Sequence, residues 1–394
     1  MNCLKWKLFK VKKLLKYLLI IFVVINLLII VSGKNWLYKG ISITYLKGYT
    51  SSYIHDFIYF PANTIEAGEH QEWAIANNYN KAKLPEFIKP INENLKTVAF
   101  MVIINDSICY EEYWHGYSAD TMSNSFSMSK SWVSTLIGVA IKEGKIKNVD
   151  QKVCDFFPKF CGDKEKNITV KNLLTMSSGL NWKENYHDPF GQTAEAYFGE
   201  DLRGLVVNLQ AIETPGKVFK YHSSCTQLLA FIVEQATGKT ISEYAAEKLW
   251  KPMGAKHPAL WNTDTEGGDE KGFCCINSNA RDFARLGKLY LHKGNWNGEQ
   301  IIDSSYVNDA TSIANLLDKK GNHNTNYGYQ FWLAKRQGLS VYYARGLWGQ
   351  YVICIPEKNM VVVRLGRKYG KNLEDGHQED FYQFIDAALE MYPN

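Results

Sequence analysis

The stretch Ser125-Phe126-Ser127-Met128-Ser129-Lys130-Ser131 sets four hydroxyls around one amine. A serine hydroxyl attacks a carbonyl efficiently when a neighbouring base takes its proton, and a lysine walled in by apolar side chains can serve, because burial disfavours its charged form. On a helix, side chains three apart share a face, so Ser127 and Lys130 can touch, whereas Ser125, Ser129 and Ser131 stand at other angles or spacings. A helix opening here also leaves the Ser127 N–H among the unpaired donors at its positive end, where it suits an oxyanion. An N-capping serine beside a solvated lysine has the same S-x-x-K spacing, so the chemistry depends on what surrounds it.

The elements that must position this pair can be read on either side of it. TVAFMVIIN and SICYEEYW alternate like two strands joined at Asn105-Asp106. Near the other end, SVYYARG, QYVICI and MVVVRLG read as three more strands, the last two joined through Pro356-Glu357-Lys358-Asn359. Helical signals fill the middle. An apolar face from Trp132 to Ile141 ends at Gly144, Thr169 can cap VKNLLTM, and Thr240 with Glu243 makes a capping box for SEYAAEKLW. Asn279 can open ARDFARLGKLYLHKG, and Phe381, Phe384, Ile385 and Leu389 mark a C-terminal helix. Strands at both ends with helices between them predict one antiparallel sheet built from distant segments, helices on its faces, and an inserted helical subdomain. The cleft between sheet and insert is where the chemistry is expected.

Residues 1–33 form a separate object. Six lysines from Lys5 to Lys16 precede an uncharged run from Tyr17 to Gly33, just long enough to cross a bilayer. The positive flank places the N-terminus in the cytoplasm and the remainder outside, which predicts an exported chain held on the membrane by an uncleaved anchor. Cleavage after the small residues near Gly33 would make it a secreted protein instead. Residues 34–95, aromatic and proline-interrupted, read as an extended arm, and residues 96–394 as the catalytic domain.

With the six lysines set aside, 39 basic residues face 40 acidic ones, so charge makes no case for nucleic acid. Of eight cysteines, Cys3 falls on the cytoplasmic side; seven remain, an odd number, and Cys154 and Cys161 are close enough to close a small loop or to stay as buried thiols. The nine histidines are scattered and Cys274-Cys275 has no second pair at ligand spacing, so neither metal nor cofactor is expected.

The stretches NSFSMSKSWVSTLIGVAIKEGKIKNVD, ITVKNLLTMSSGLNW, TPGKVFKYHSS, QLLAFIVEQATGKTISEYAAEKLWKPMGA, NARDFARLGKLYL and RGLWGQYVICIPEKNMVVV occur in that order. Through them the sequence resembles serine hydrolases related to class C β-lactamases, most closely the 6-aminohexanoate-dimer hydrolase branch, from about Thr97 to Arg364. The resemblance implies a β-lactamase/transpeptidase-like fold of α/β (α+β) class, an antiparallel sheet flanked by helices with an inserted helical subdomain.

It also implies roles for single residues. Ser127 becomes the acylated nucleophile and Lys130 its proton acceptor, and Tyr221 in Tyr221-His222-Ser223 matches the tyrosine that passes the proton to the leaving group. The place of the family's K-T-G strand reads Ala344-Arg345-Gly346-Leu347, without its lysine, which argues against efficient β-lactam hydrolysis. The Leu347 N–H is still expected as the second oxyanion donor beside that of Ser127, since a backbone group needs no particular side chain. Tyr186 in NWKENYHDP matches a tyrosine that closes over amide substrates. His187 and His222 fall within the two tyrosine motifs and read as structural; Tyr327, Tyr329, Trp332 and Trp348 read mainly as core.

The expectation is therefore a serine hydrolase of small esters or open-chain amides, partnered only by its substrate and the membrane. A penicillin-binding D-Ala-D-Ala carboxypeptidase or β-lactamase is the alternative within the same chemistry. A catalytically silent relative that binds cell-wall peptide is the alternative outside it.

Overall fold

The computed structural model describes residues 2–393; Met1 and Asn394 at the two ends, and the side chains of residues 2–5 and of Leu8, among them Cys3 and Lys5, lie outside the described residues. Thr97–Ile104 and Ser107–Tyr113 form a hairpin whose two turn residues, Asn105 and Asp106, both have positive φ, the geometry that matches the twist of paired strands. Met360–Gly366 lies antiparallel to Thr97–Ile104, with Val362 opposite Val102, and this pairing unites the two distant strand groups. Gln350–Ile355, Leu339–Gly346 and Trp332–Arg336 follow outward on that side, and the short strand Ala74–Ile75 adds to the far edge as the one parallel pairing of the seven-stranded sheet.

Strand alternation shows how the sheet is covered. Val361 and its neighbour Val352 face the helix Ala280–Leu291, where a Cβ on Gly287 would come within 2.7 Å of Val361, so only glycine lets the helix approach this closely. Phe100 and its partner Arg364 point the other way, against Phe384 of the helix Glu379–Met391. Cover on both faces explains why Thr97–Ile103 is buried at every position and reads as a nearly continuous apolar run.

The expected antiparallel sheet is present, with additions that the pattern missed. Trp332–Arg336 is one; its signal was the Gln337-Gly338 turn, both residues at positive φ. A second, four-stranded sheet orders Ala62–Ile65, Ala259–Asn262, Ile276–Ser278 and Ser123–Asn124. Strands of two to four residues are too short to leave a period, yet this sheet carries the chain directly to Ser125.

Between the strand groups, the buried helices Ser129–Lys142 and Ser223–Thr237 pack together. The capping boxes Thr169/Asn172 and Thr240/Glu243 are formed, and Asn279 accepts from the Asp282 N–H. The segment after Thr240 is helical only through Ala245 and then widens into a π turn over Ala246–Trp250. Cys154 and Cys161 form a disulfide, Cys274 and Cys275 are joined as neighbours, and Cys109, Cys225 and Cys354 are buried thiols. Residues 36–94 carry the helix Trp36–Ile43, the helix Ile88–Asn94 and two short strands. Asn2–Val31 is one helix, and its part Phe9–Val31 is long and apolar enough to cross a membrane, with none of it buried.

Candidate active site

Ser127 lies in a 3₁₀ turn, Phe126–Met128, that runs straight into the helix Ser129–Lys142. The turn is tighter than an α-helix, but a separation of three still aligns side chains, and Lys130 Nζ stands 3.0 Å from Ser127 Oγ. The other three serines are turned elsewhere: Ser125 Oγ to the Phe126 carbonyl, Ser129 Oγ to that of Gly272, and Ser131 Oγ to that of Gln330. Helical spacing and the folded geometry thus select the same hydroxyl.

Lys130 is 1% exposed, and among the described residues no carboxylate is within salt-bridge reach of its amine. Its Nζ donates to the Phe273 carbonyl at 2.6 Å, which aims the amine, while burial pulls its pKa down to about 8 and the charge of Glu184 pulls it partly back. This amine is close to the point where it can accept a proton at neutral pH.

Tyr221 arrives on the segment just before the helix Ser223–Thr237. Its ring stacks on Trp332 at 5.5 Å between centroids and meets Tyr327 edge-on at 6.1 Å, so these two buried aromatics form the wall that holds it. Burial pushes the phenol up, and its hydrogen bond with Ser127 draws it back. The phenol therefore remains protonated, a donor beside Ser127 rather than a phenolate. Arg345, beside Ala344 in the stretch that lacks the motif lysine, lays its guanidinium 3.5 Å over the Trp332 ring and donates to the Gly376 carbonyl.

Gly346 ends its strand against the Ser127 turn: a Cβ there would fall 2.1 Å from the Ser125 carbonyl oxygen. Leu347 follows directly on that contact. Tyr186 is 51% exposed as a residue, but its hydroxyl is turned inward to Glu184 and Ser223, and burial of that end pushes its pKa well up. His187 is exposed. His222 is buried, and its pKa is pushed down to about 4 by burial, which keeps it neutral.

Glu184 was missed as a site residue, although it stands two positions before Tyr186 in the same motif. Its carboxylate accepts from the Ser223 N–H and hydroxyl, both at 2.7 Å, and from the Trp182 indole at 2.6 Å. It thereby caps the helix that follows Tyr221 and places a negative charge near Lys130. No local pattern could reveal this, because the helix it caps begins at Ser223, 39 residues away. A cleft of about 910 Å³ opens beside Glu184 and His222, between the loop holding Trp182 and the segments around Lys217 and Leu317. Among the described residues no His/Cys/Asp/Glu group is arranged to hold a metal ion.

The Beta-lactamase family model matches residues 84–385. The 6-aminohexanoate-dimer hydrolase of Paenarthrobacter ureafaciens is 26% identical over 330 residues, covering 78% of this chain and 83% of that one. A solved structure from Bacillus anthracis, provisionally named a 6-aminohexanoate-dimer hydrolase, superposes with a TM-score of 0.72 at 23% identity, over 87% of this chain and 92% of its own. A family VIII carboxylesterase gives 0.62 at 17% identity, over 81% and 99%. The fold is thus the β-lactamase/transpeptidase-like one that the sequence resemblance implied. With its family pattern spanning most of its length and this architecture around it, the chain belongs to the β-lactamase family of hydrolases.

Proposed function

We propose that this protein is a serine hydrolase that cleaves small esters or open-chain amides through an acyl-enzyme on Ser127. The observation that carries the reading is the buried Lys130 amine, aimed by the Phe273 carbonyl and 3.0 Å from the Ser127 hydroxyl. Neutral Lys130 accepts the Ser127 proton as Oγ bonds to the substrate carbonyl carbon, and the N–H groups of Ser127 and Leu347 receive the oxyanion. As the tetrahedral species collapses, the Tyr221 phenol donates its proton to the leaving alcohol or amine and regains one from the Lys130 ammonium. Water then attacks the acyl carbon, losing its proton to the same pair, and frees the acid and Ser127.

Tyr186 closes over the substrate, and the cleft beside Glu184 takes one end of it. An amide or ester hydrolase is favoured over a penicillin-recognising enzyme by Ala344, which leaves no lysine at the place that binds the β-lactam carboxylate in those relatives. The reading continues into topology: residues 1–33 anchor the chain, with the arm 34–95 and the hydrolase domain 96–394 on the outer side of the membrane.

The test is a panel of p-nitrophenyl esters, short linear amides and a fluorescent penicillin. Turnover of esters or amides, with no stable penicillin adduct, is expected. Stable labelling of Ser127 by the penicillin would move the assignment to a penicillin-binding peptidase, and background turnover throughout would leave a silent binding protein.

The charge on Glu184 yields a separate expectation. It raises the Lys130 pKa, so Glu184→Gln should shift the ascending limb of the pH–rate profile to lower pH while lowering the maximum, since an amide satisfies fewer of the donors on Ser223 and Trp182. Initial rates measured from pH 5 to 10 in both proteins check the direction.

A further inference from the structure

Two bulky residues at the site hold left-handed backbone. Phe126, immediately before Ser127, has φ +45°, and Trp348, immediately after Leu347, has φ +63°. Side chains with a Cβ rarely adopt this region, and a conformation of this kind persists only where surrounding contacts impose it. The two positions flank the two proposed oxyanion donors. Both turns are tied by hydrogen bonds to the same five residues of the N-terminal arm, Ser52 to Asp56.

On the Ser127 side, the Phe126 N–H donates to Asn124 Oδ1 at 2.8 Å. Asn124 is itself fully buried and is held at both ends: its N–H donates to the Ile54 carbonyl at 3.1 Å, and its Nδ2 faces the Tyr197 hydroxyl at 3.3 Å and Asp56 Oδ1 at 3.5 Å. Tyr197 in turn donates to Asp56 Oδ1 at 2.9 Å, and the Tyr53 N–H closes the group on Asp56 Oδ2 at 3.1 Å. Asp56 is 0% exposed. A carboxylate this deep with several converging donors is a built feature, since burying it without partners would be costly.

On the other side, the Trp348 indole N–H donates to the Ser52 carbonyl at 2.7 Å. The Trp348 carbonyl is held by Arg364 Nη1 at 2.8 Å, which ties this turn to the centre of the large sheet. Between the two sides, Gly346 touches the Ser125 carbonyl closely enough that no side chain fits. A shift of either turn therefore changes the spacing of the two donors.

We propose that residues 52–56 of the arm are a positioning clamp for the oxyanion hole, with Asp56, Asn124 and Trp348 acting through the backbone at Ser127 and Leu347. The inference deepens the serine-hydrolase reading and rests on it. None of the three side chains is required to touch substrate. Oxyanion donors act on charge that develops in the transition state, so loosening the clamp slows acylation and leaves the initial encounter nearly unchanged.

The test uses the full chain in detergent micelles and a fluorescent fluorophosphonate, with kinact and KI measured separately. Asp56→Ala and Trp348→Phe should each lower kinact about 10- to 100-fold, as expected for a small misplacement of catalytic groups, with KI nearly unchanged. Asp56→Asn, which keeps an acceptor for the Tyr197 hydroxyl, should recover part of the rate. Ile58→Ser, at an exposed arm position outside the clamp, should match wild type. Wild-type kinact in both folded clamp variants overturns the proposal, as does a loss confined to melting temperature and active fraction. If Asp56→Ala does not fold, Trp348→Phe, which removes the indole N–H and keeps an aromatic ring, decides alone. Labelling that is absent in wild type, or unchanged in Ser127→Ala, overturns the serine-hydrolase reading itself, a different outcome from failure of the clamp.

Discussion

Ser127→Ala should fold like wild type, lose fluorophosphonate labelling entirely, and lose turnover by a factor of about 10³ to 10⁶, the range expected when a nucleophile is removed and only binding and oxyanion stabilisation remain. Folding is expected to survive because Ser127 is only half-buried, in a turn where its side chain meets Lys130 and Tyr221 and supports no other element. Removing one oxygen there leaves the 3₁₀ turn and the following helix intact. Circular dichroism establishes the fold, and intact mass after probe exposure reads the adduct. An adduct of equal yield on Ser127→Ala would mean that another hydroxyl is the reactive one. That outcome has few candidates nearby, since Ser125, Ser129 and Ser131 are fully buried and each donates to a backbone carbonyl.

The second large effect concerns Lys130. Its amine must be neutral to accept the Ser127 proton, and burial has brought its pKa to about 8. Below that value the ammonium form dominates, so the acylation rate should rise tenfold per pH unit up to about pH 8 and then level off. An unburied lysine, with its ordinary pKa near 10.4, would keep the rate rising for about two further pH units. Lys130→Met, which preserves the length and apolar stem without the amine, should remove this limb and lower the acylation rate by about 10² to 10⁴, the usual contribution of a positioned general base. The position is specific: a histidine base would give a limb near pH 6 to 7, but His222 is held neutral down to about pH 4. A plateau already reached by pH 7 in wild type would exclude Lys130 as the titrating base.

Parts of the architecture were legible because they are local. The hairpin at Asn105-Asp106, the strand run MVVVRLG, the caps at Thr169, Thr240 and Asn279, and the helix after Ser127 all follow from alternation, turn chemistry or capping within a dozen residues. The short second sheet was not legible, because two to four residues in a strand carry no measurable period. The Trp332–Arg336 strand was masked by its one aromatic, Trp332, which read as core before it read as sheet.

At the site the same division holds. The spacing of Ser127 and Lys130 follows from chain geometry alone, since residues three apart on a helical turn must share a face. Tyr221 entered through its resemblance to a motif, and its packing on Trp332 and Tyr327 unites segments more than a hundred residues apart. Glu184 and Asp56 had no signal in the sequence, because a carboxylate's effect depends on which distant donors and charges surround it. The sequence by itself therefore determined which hydroxyl pairs with which amine, and that the strands at its two ends would form one sheet. Only the tertiary structure decided that this amine is dry enough to titrate near neutrality and that an N-terminal arm meets both turns of the site. Burial and long-range hydrogen bonding are properties of the assembled core, and no single segment of chain contains them.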